Sequence, residues 1–239
     1  MIFLGTLVNA AAIVAGAFLG RFLTRIPESI RKTVMQGIGL AVILLGLQMS
    51  LGSENFMLVI ASIVVGAIVG ELLGIEKGLE RVGQWLERKM GKHAQGSIAS
   101  GFVTATLVYC VGAMAVLGSL DSGLRNNHDI LFTKSLLDGF SAIIFTSTLG
   151  IGVLFSAVPV LLYQGGIVLL STQIYNLVSP DMLDAILKEV TAAGGLMIIA
   201  IGLNILEVVK IRVANLLPAL LVAAVGVPFA DWMSKLVYA

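Results

Sequence analysis

Apolar runs of nearly equal length recur along this chain, and they limit its fold more than any other feature. From Phe56 to Gly74 the run F-M-L-V-I-A-S-I-V-V-G-A-I-V-G-E-L-L-G carries one charged side chain, Glu71. About 20 apolar residues cross the hydrocarbon core of a bilayer as a helix. Lipid offers the backbone no hydrogen-bond partners, so the helix must satisfy its own. Eight such spans are expected: Phe3–Leu23, Thr33–Leu51, Phe56–Gly74, Ile98–Gly118, Asp129–Ala157, Val160–Val178, Thr191–Leu206 and Ala214–Trp232. Charged residues make up 12% of the 239 residues, against roughly 25% in soluble domains. The fold class is therefore all-α, a polytopic membrane helix bundle of about eight segments. No part of it reads as a soluble domain.

The fourth span changes character along its length. In T-A-T-L-V-Y-C-V-G-A-M-A-V-L-G-S-L-D-S-G, Thr104 to Gly123, Tyr109 and Cys110 lead into Gly112, Ala113, Ala115, Gly118, Ser119 and Asp121. Glycine costs about 1 kcal/mol against alanine inside a helix. Such a stretch either packs very closely or stops being regular helix. Irregular backbone at membrane depth is tolerated inside protein or beside a water-filled cavity. Two readings stay open: a solute path, or a packing helix with a frayed outer end. A polar connector, Asp121 to His128, is expected to follow, with Asn126 or Asn127 capping the next helix.

That next helix, Asp129–Ala157, is long, and Pro159 is expected to break it. At 1.5 Å per residue it would reach roughly 43 Å, so it extends beyond the hydrocarbon or bends near Gly139 or Gly150. It carries Lys134 and Asp138 at i and i+4, with Ser135, Ser141 and Ala142 on the same face. Charges at membrane depth usually face a cavity or a partner. Asp138 is thus expected to face the interior, near Ser119 and Asp121. It acts there as a proton or cation site, or as half of an ion pair that fixes the helix. The sixth span is polar for a lipid-facing helix, and Gln164-Gly165-Gly166 marks an irregular point. Asn9 in the first span either bonds another helix or touches a solute.

Between the spans lie shorter pieces. Ile75 to His93 places Ile75, Leu79, Val82, Leu86 and Met90 at helical spacing among Lys77, Arg81, Arg88, Lys89 and Lys92. This is an amphipathic helix for the membrane surface. Pro27-Glu28 and Ser179-Pro180-Asp181 open lead-ins before the second and seventh spans. Pro218 and Pro228 are expected to kink the eighth. Ala12, Gly16 and Gly20, and again Ser62, Gly66, Gly70 and Gly74, fall four apart and make close-packing faces.

With the N-terminus outside, the inner loops hold Arg21, Arg25, Arg31, Lys32, Lys77, Arg81, Arg88, Lys89, Lys92, Lys210 and Arg212, 11 of the 15 basic residues. This bias satisfies the positive-inside rule. Gly39-Leu40-x5-Gly46-Leu47-Gln48 is matched by Gly195-Leu196-x5-Gly202-Leu203-Asn204. Spans one to three then resemble spans six to eight. Five crossings separate equivalent spans, so the halves would be inverted, a recurring transporter plan. The expected organisation is one membrane domain, 1–239, with a first repeat at 1–74 and the amphipathic helix at 75–97. A central broken and long helix at 98–158 and a second repeat at 159–239 complete it.

G-T-L-V-N at Gly5–Asn9 resembles one bacterial family, as do Y-C-V-G-A-M-A-V-L-G-S-L-D-S-G-L, L-L-D-G-F-S-A-I-I-F and G-I-G-V-L-F-S-A-V-P-V-L-L-Y-Q-G. These stretches are similar to the YqgA/YdfK-like inner-membrane proteins of unknown function. The resemblance covers nearly the whole chain. It implies a bacterial cytoplasmic-membrane protein and no particular activity or binding residue.

Two function classes follow. The first is a small secondary transporter or channel for an ion or small solute. Its pathway residues would be Asp138, Lys134, Ser119, Asp121, Tyr109, Gly112, Gly118, Ser141, Gln164 and Asn9. The second is a membrane scaffold or membrane-embedded enzyme. An enzyme is not expected, because the sequence offers no Ser–His pairing, no phosphate-binding glycine loop and no catalytic constellation. Cys110 is the only cysteine and His93 and His128 the only histidines, so no disulfide, zinc site or other cofactor is expected. The expected partners are the bilayer and a small solute or ion, with a homo-oligomer left open and no nucleic acid.

Overall fold

A computed structural model describes residues 1–22, 28–90 and 98–237. The helix start at Pro27, the basic residue Arg25, and Lys92 and His93 at the end of the amphipathic segment lie outside the described residues. The described residues form ten α-helices, nine on the apolar runs and one on the amphipathic segment: α1 Leu4–Phe22, α2 Glu28–Ser50, α3 Phe56–Leu73, α4 Ile75–Met90, α5 Ile98–Cys110, α6 Ala113–Arg125, α7 Asp129–Leu149, α8 Ala157–Leu177, α9 Pro180–Ile205 and α10 Pro218–Val237. Among the described residues, seven segments are long and apolar enough to cross a membrane; α5 and α6 pass the same test only together, bent by 62° at their break. The chain is an all-α membrane protein.

Local chemistry sets the helix ends. Asn55 caps α3 by accepting from the Leu58 N–H, and Ser179 caps α9 by accepting from Met182. Pro180 takes the first position of α9, where a missing N–H costs nothing. Between α5 and α6 the chain turns at Gly112, whose φ of 128° is open to glycine and strained for any other residue. The break expected in this span is therefore present, and it is confined to one point.

Several expected boundaries move. Asp121–Arg125 continue α6 rather than forming a connector, which shrinks to Asn126–His128. Asn127 Oδ1 accepts from the Asp129 N–H at the start of α7. The long helix stops at Leu149 because Gly150, with φ 93°, turns the chain into a 3-10 segment at Ile151–Ser156. Pro159 breaks nothing, since it lies in the first turn of α8, where its ring and absent N–H are tolerated. Gln164-Gly165-Gly166 is regular helix within α8. The lead-in and the seventh span form one continuous helix of 26 residues, about 39 Å long. Pro218 begins α10 after a 3-10 turn at Val213–Leu216, while Pro228 lies inside it.

Two compact units are interleaved in sequence. One comprises Met1–Gln36 and Lys77–Ile174; the other comprises Gly37–Glu76 and the chain from Tyr175 onward.

In the first unit α1 runs along α7. A Cβ at Gly5 would meet Leu131, one at Gly16 the Gly139 carbonyl, and one at Gly20 the Ile143 carbonyl. Positions rise together along both helices, so α1 and α7 are parallel. The small-residue face read in α1 is this seam.

In the second unit α3 lies antiparallel to α10, with Leu58 near Gly226, Gly66 against Ala219 and Gly70 against Asn215. Val59, Ala192, Ala193 and Ala223 form the core there, with Ile63, Val190, Leu196 and Leu220 around them. Gly39 packs on Gly202 and Gly46 on Gly195, so α2 and α9 are also antiparallel.

Candidate functional site

On α1, Thr6, Asn9, Ile13, Gly16 and Gly20 recur at three and four residues and are all buried. This face meets the face of α7 that carries Lys134, Ser135, Asp138 and Ala142. The glycines bring the two backbones close, and the polar side chains meet between them. Asn9 Nδ2 donates to Asp138 Oδ2 at 3.0 Å. Lys134 Nζ lies 3.0 Å from Asp138 Oδ1 and 2.9 Å from Oδ2. Asn9 is fully enclosed, and Lys134 and Asp138 are 7% and 6% exposed. Both carboxylate oxygens are thus occupied by one ammonium, and the amide adds a third donor.

The broken helix supplies the other wall. Tyr109, in the last turn of α5, is fully buried and stacks on Phe145 of α7 with ring centroids 6.2 Å apart. Ser141 Oγ donates its hydrogen to the Asp138 carbonyl at 3.0 Å and so accepts from the Tyr109 hydroxyl, 3.4 Å away. Cys110 lies within electrostatic reach of both Lys134 and Asp138. The turn at Gly112 follows two residues later.

Of the pathway residues expected from sequence, Asn9, Lys134, Asp138, Ser141 and Tyr109 come together. Gly112 makes the break beside them. Gly118 packs against Leu131 and Ile130 near the start of α7. Ser119 is buried but donates to the Ala115 carbonyl of its own helix. Asp121 pairs with Arg125 at 3.6 Å. Neither has a described hydrogen bond or ion pair with Asp138. Gln164 is fully buried in α8, and neither amide atom has a hydrogen-bond partner among the described residues. The same holds for Thr6 Oγ1, Asn9 Oδ1, Thr106 Oγ1 and Thr146 Oγ1. Native proteins leave few such groups buried.

The sequence showed no Ser–His pairing, yet Ser122 Oγ lies 2.5 Å from His128 Nδ1, and both residues are buried. Six residues separate them across the α6–α7 corner, a spacing that carries no recognisable pattern. Ser122 Oγ also donates to the Ile2 carbonyl at 3.1 Å. A hydroxyl has one hydrogen, so Nδ1 must donate to Oγ. An activated serine nucleophile needs the reverse, with histidine accepting the hydroxyl proton. The pair ties the chain near Ile2 to this corner.

Sequence reading also missed Glu189. Its carboxylate is buried and accepts from the N–H groups of Glu54 and Asn55 at 2.9 Å and from Ser53 Oγ at 2.6 Å. It thus satisfies free donors ahead of α3. The clue was an acid inside what proves to be one continuous 26-residue helix. Among the described residues no group of three or more His, Cys, Asp and Glu is placed to hold a metal ion.

A family model described as "Protein of unknown function (DUF554)" matches residues 4–227. The chain is 29% identical over 226 residues to the "Uncharacterized membrane protein YdfK" of Bacillus subtilis, covering 92% of this chain and 94% of that protein. It is 31% identical over 225 residues to the "Uncharacterized protein YqgA" of Escherichia coli, with the same coverage. No solved structure matches the chain.

Proposed function

The chain belongs to the DUF554 family of unknown function, and from that premise we propose that it is a small secondary transporter or channel, not an enzyme, that moves an ion or small solute across the bacterial cytoplasmic membrane. One observation carries this reading: the Lys134–Asp138 pair and Asn9 are enclosed between two helices of membrane-spanning length, beside the helix that breaks at Gly112. Ionisable groups inside a membrane protein mark pathways and relays far more often than they mark ordinary packing. The path would run past Asn9, Tyr109, Lys134, Asp138 and Ser141, with Thr6, three residues from Asn9 on the same face of α1, adding a hydroxyl that has no hydrogen-bond partner among the described residues.

Helix directions support a multi-pass layout in which the bent pair α5–α6 crosses fully. If every span crosses, α1 and α7 are four crossings apart and run parallel. On the same count α2 and α9, and α3 and α10, are five apart and run antiparallel. All three pairs have these directions. A re-entrant α5–α6 would reverse all three.

The α2–α9 seam supports the inverted repeat. Gly39 meets Gly202 and Gly46 meets Gly195, so each motif position faces the other's reciprocal position. A twofold axis between the helices in the membrane plane produces this exchange. Bacterial relatives support the choice of membrane.

Reconstitution of the purified chain into proteoliposomes, followed by uptake screening with ions, amino acids and sugars, tests the proposal. At least one solute should enter faster than into protein-free vesicles, and Asp138→Asn should abolish that excess. A monodisperse, correctly inserted protein that moves none of them would sink the proposal.

A further inference from the structure

We propose that Asp138, Asn9 and Thr6 form a site for a monovalent cation, and that Lys134 fills it as a tethered ammonium in the arrangement described here. This deepens the transport reading by naming the class of ion at its centre, and it rests on that reading.

The geometry around the carboxylate carries the inference. A single ammonium sits on both oxygens of Asp138, at 3.0 and 2.9 Å, as a bound cation would. On the facing helix two oxygen atoms are buried without a hydrogen-bond partner among the described residues, Thr6 Oγ1 and Asn9 Oδ1. Residues 6 and 9 are three apart and share the α1 face that meets α7. The Asn9 amide is already at the carboxylate, through Nδ2 at 3.0 Å. With the ammonium present, the carboxylate selects the donor end of that amide. With a metal cation present, the acceptor end turns inward, and carboxylate, amide oxygen and hydroxyl make the oxygen-only set that hard cations prefer. Asp138 is the one carboxylate here, and the described residues contain no acidic or histidine cluster for a divalent ion. One negative charge matches one positive charge.

Competition follows from charge balance. A buried carboxylate that binds a metal cation leaves the Lys134 ammonium without its partner, and an unpaired buried charge is strongly disfavoured. Cation entry therefore releases one proton from Lys134 to solvent, and cation exit takes one back. The exchange is one for one and electroneutral. The titratable groups facing the pair are few. α5 contributes Tyr109 and Cys110, Tyr163 of α8 lies within reach of Cys110, and α1 contributes only the neutral Asn9 and Thr6. Phenols and a thiol are uncharged in neutral water, so Lys134 and Asp138 are the two charges of the site.

Equilibrium binding on the detergent-purified full chain tests this without any transport assay. The probes are radiolabelled sodium and rubidium, with choline chloride as the inert salt, and a pH dye reads proton release in weak buffer. Wild type should bind one of the two ions saturably and release about one proton per ion. Its affinity should fall about tenfold for each unit of acidification while Lys134 competes. Lys134→Gln removes the competing ammonium and should bind at least tenfold more tightly at neutral pH, with an altered pH profile in which any remaining proton release comes from the Asp138 carboxyl alone. Thr6→Val should weaken binding at least fivefold, which a simple ion pair would not predict. Wild type that binds neither ion and releases no proton overturns the proposal, and that measurement needs no variant to fold. Lys134→Gln with an unchanged pH profile overturns it as well. Saturable binding without flux in vesicles upholds the site and removes the transport reading. Asp138-dependent flux without alkali-ion binding overturns the site and leaves transport standing.

Discussion

At the scale of single residues, Asp138 and Lys134 depend on each other. Removing one partner of a buried pair costs about 3–5 kcal/mol, because the other charge stays buried and unpaired. Asp138→Asn is therefore expected to lower the unfolding temperature clearly in detergent. The double variant Lys134→Met/Asp138→Leu removes both charges and roughly keeps the volume. Such replacements are often neutral or stabilising, so it should unfold near the wild-type temperature while losing all transport. A thermal scan beside a flux assay checks both halves. A double variant that keeps its transport would show that the pair only fixes the helix. Asp138 could be singled out from its surroundings in the sequence, since a charge in an apolar run has few explanations. Thr6 could not, because a lone threonine in a membrane helix is unremarkable until its burial and missing partner are seen.

At the scale of elements, the glycines separate by what surrounds them. Gly112 holds a φ of 128° and sets the turn between α5 and α6. Gly112→Ala should cost about 1–3 kcal/mol of strain and reduce transport by straightening the break beside Tyr109. Gly166 lies within α8, and a Cβ there would meet nothing within 4 Å. Gly166→Ala should therefore stabilise by up to about 1 kcal/mol, the difference in helix propensity. At Gly70 a Cβ would fall on the Asn215 backbone. Gly70→Ala should force α3 from the 3-10 turn that precedes α10 and lower the unfolding temperature more than Gly112→Ala does. Melting curves of the three variants rank them, and a destabilising Gly166→Ala would contradict the packing described for α8. In sequence these three glycines look alike, since each sits in an apolar run. Composition also misplaced two boundaries. Pro159 looked like the helix breaker, yet a proline in a first turn is harmless, and Gly150 nearby ends α7 instead.

At the scale of the whole molecule, the count of crossings fixes sidedness. On the proposed layout eight full crossings would place both termini on one side, and 11 inward basic residues of 15 would make that side the outside. The amphipathic α4 then lies on the cytoplasmic side. A cysteine introduced at Lys89, which is exposed, on a Cys110→Ser background should resist an impermeant thiol reagent added to intact cells. It should react once the membrane is opened. Labelling from outside would overturn the layout.

The order of residues alone determined the helical class, the recurrence of membrane-length segments, the amphipathic α4 and the break near Gly112. Each follows from local physics: apolar length against bilayer thickness, periodicity, and the backbone tolerance of glycine. It also marked Lys134 and Asp138 as a pair, because i and i+4 meet on any helix. Which helix covers that pair is a different kind of question. Asn9 stands 129 residues from Asp138, and Tyr109 and Ser141 come from separate helices. Their meeting depends on glycine faces that let α1 and α7 approach, and every span carries small residues able to do the same. The Ser122–His128 tie and the Glu189 cap are equally silent in sequence. Both join groups across turns whose geometry exists only after the helices have packed.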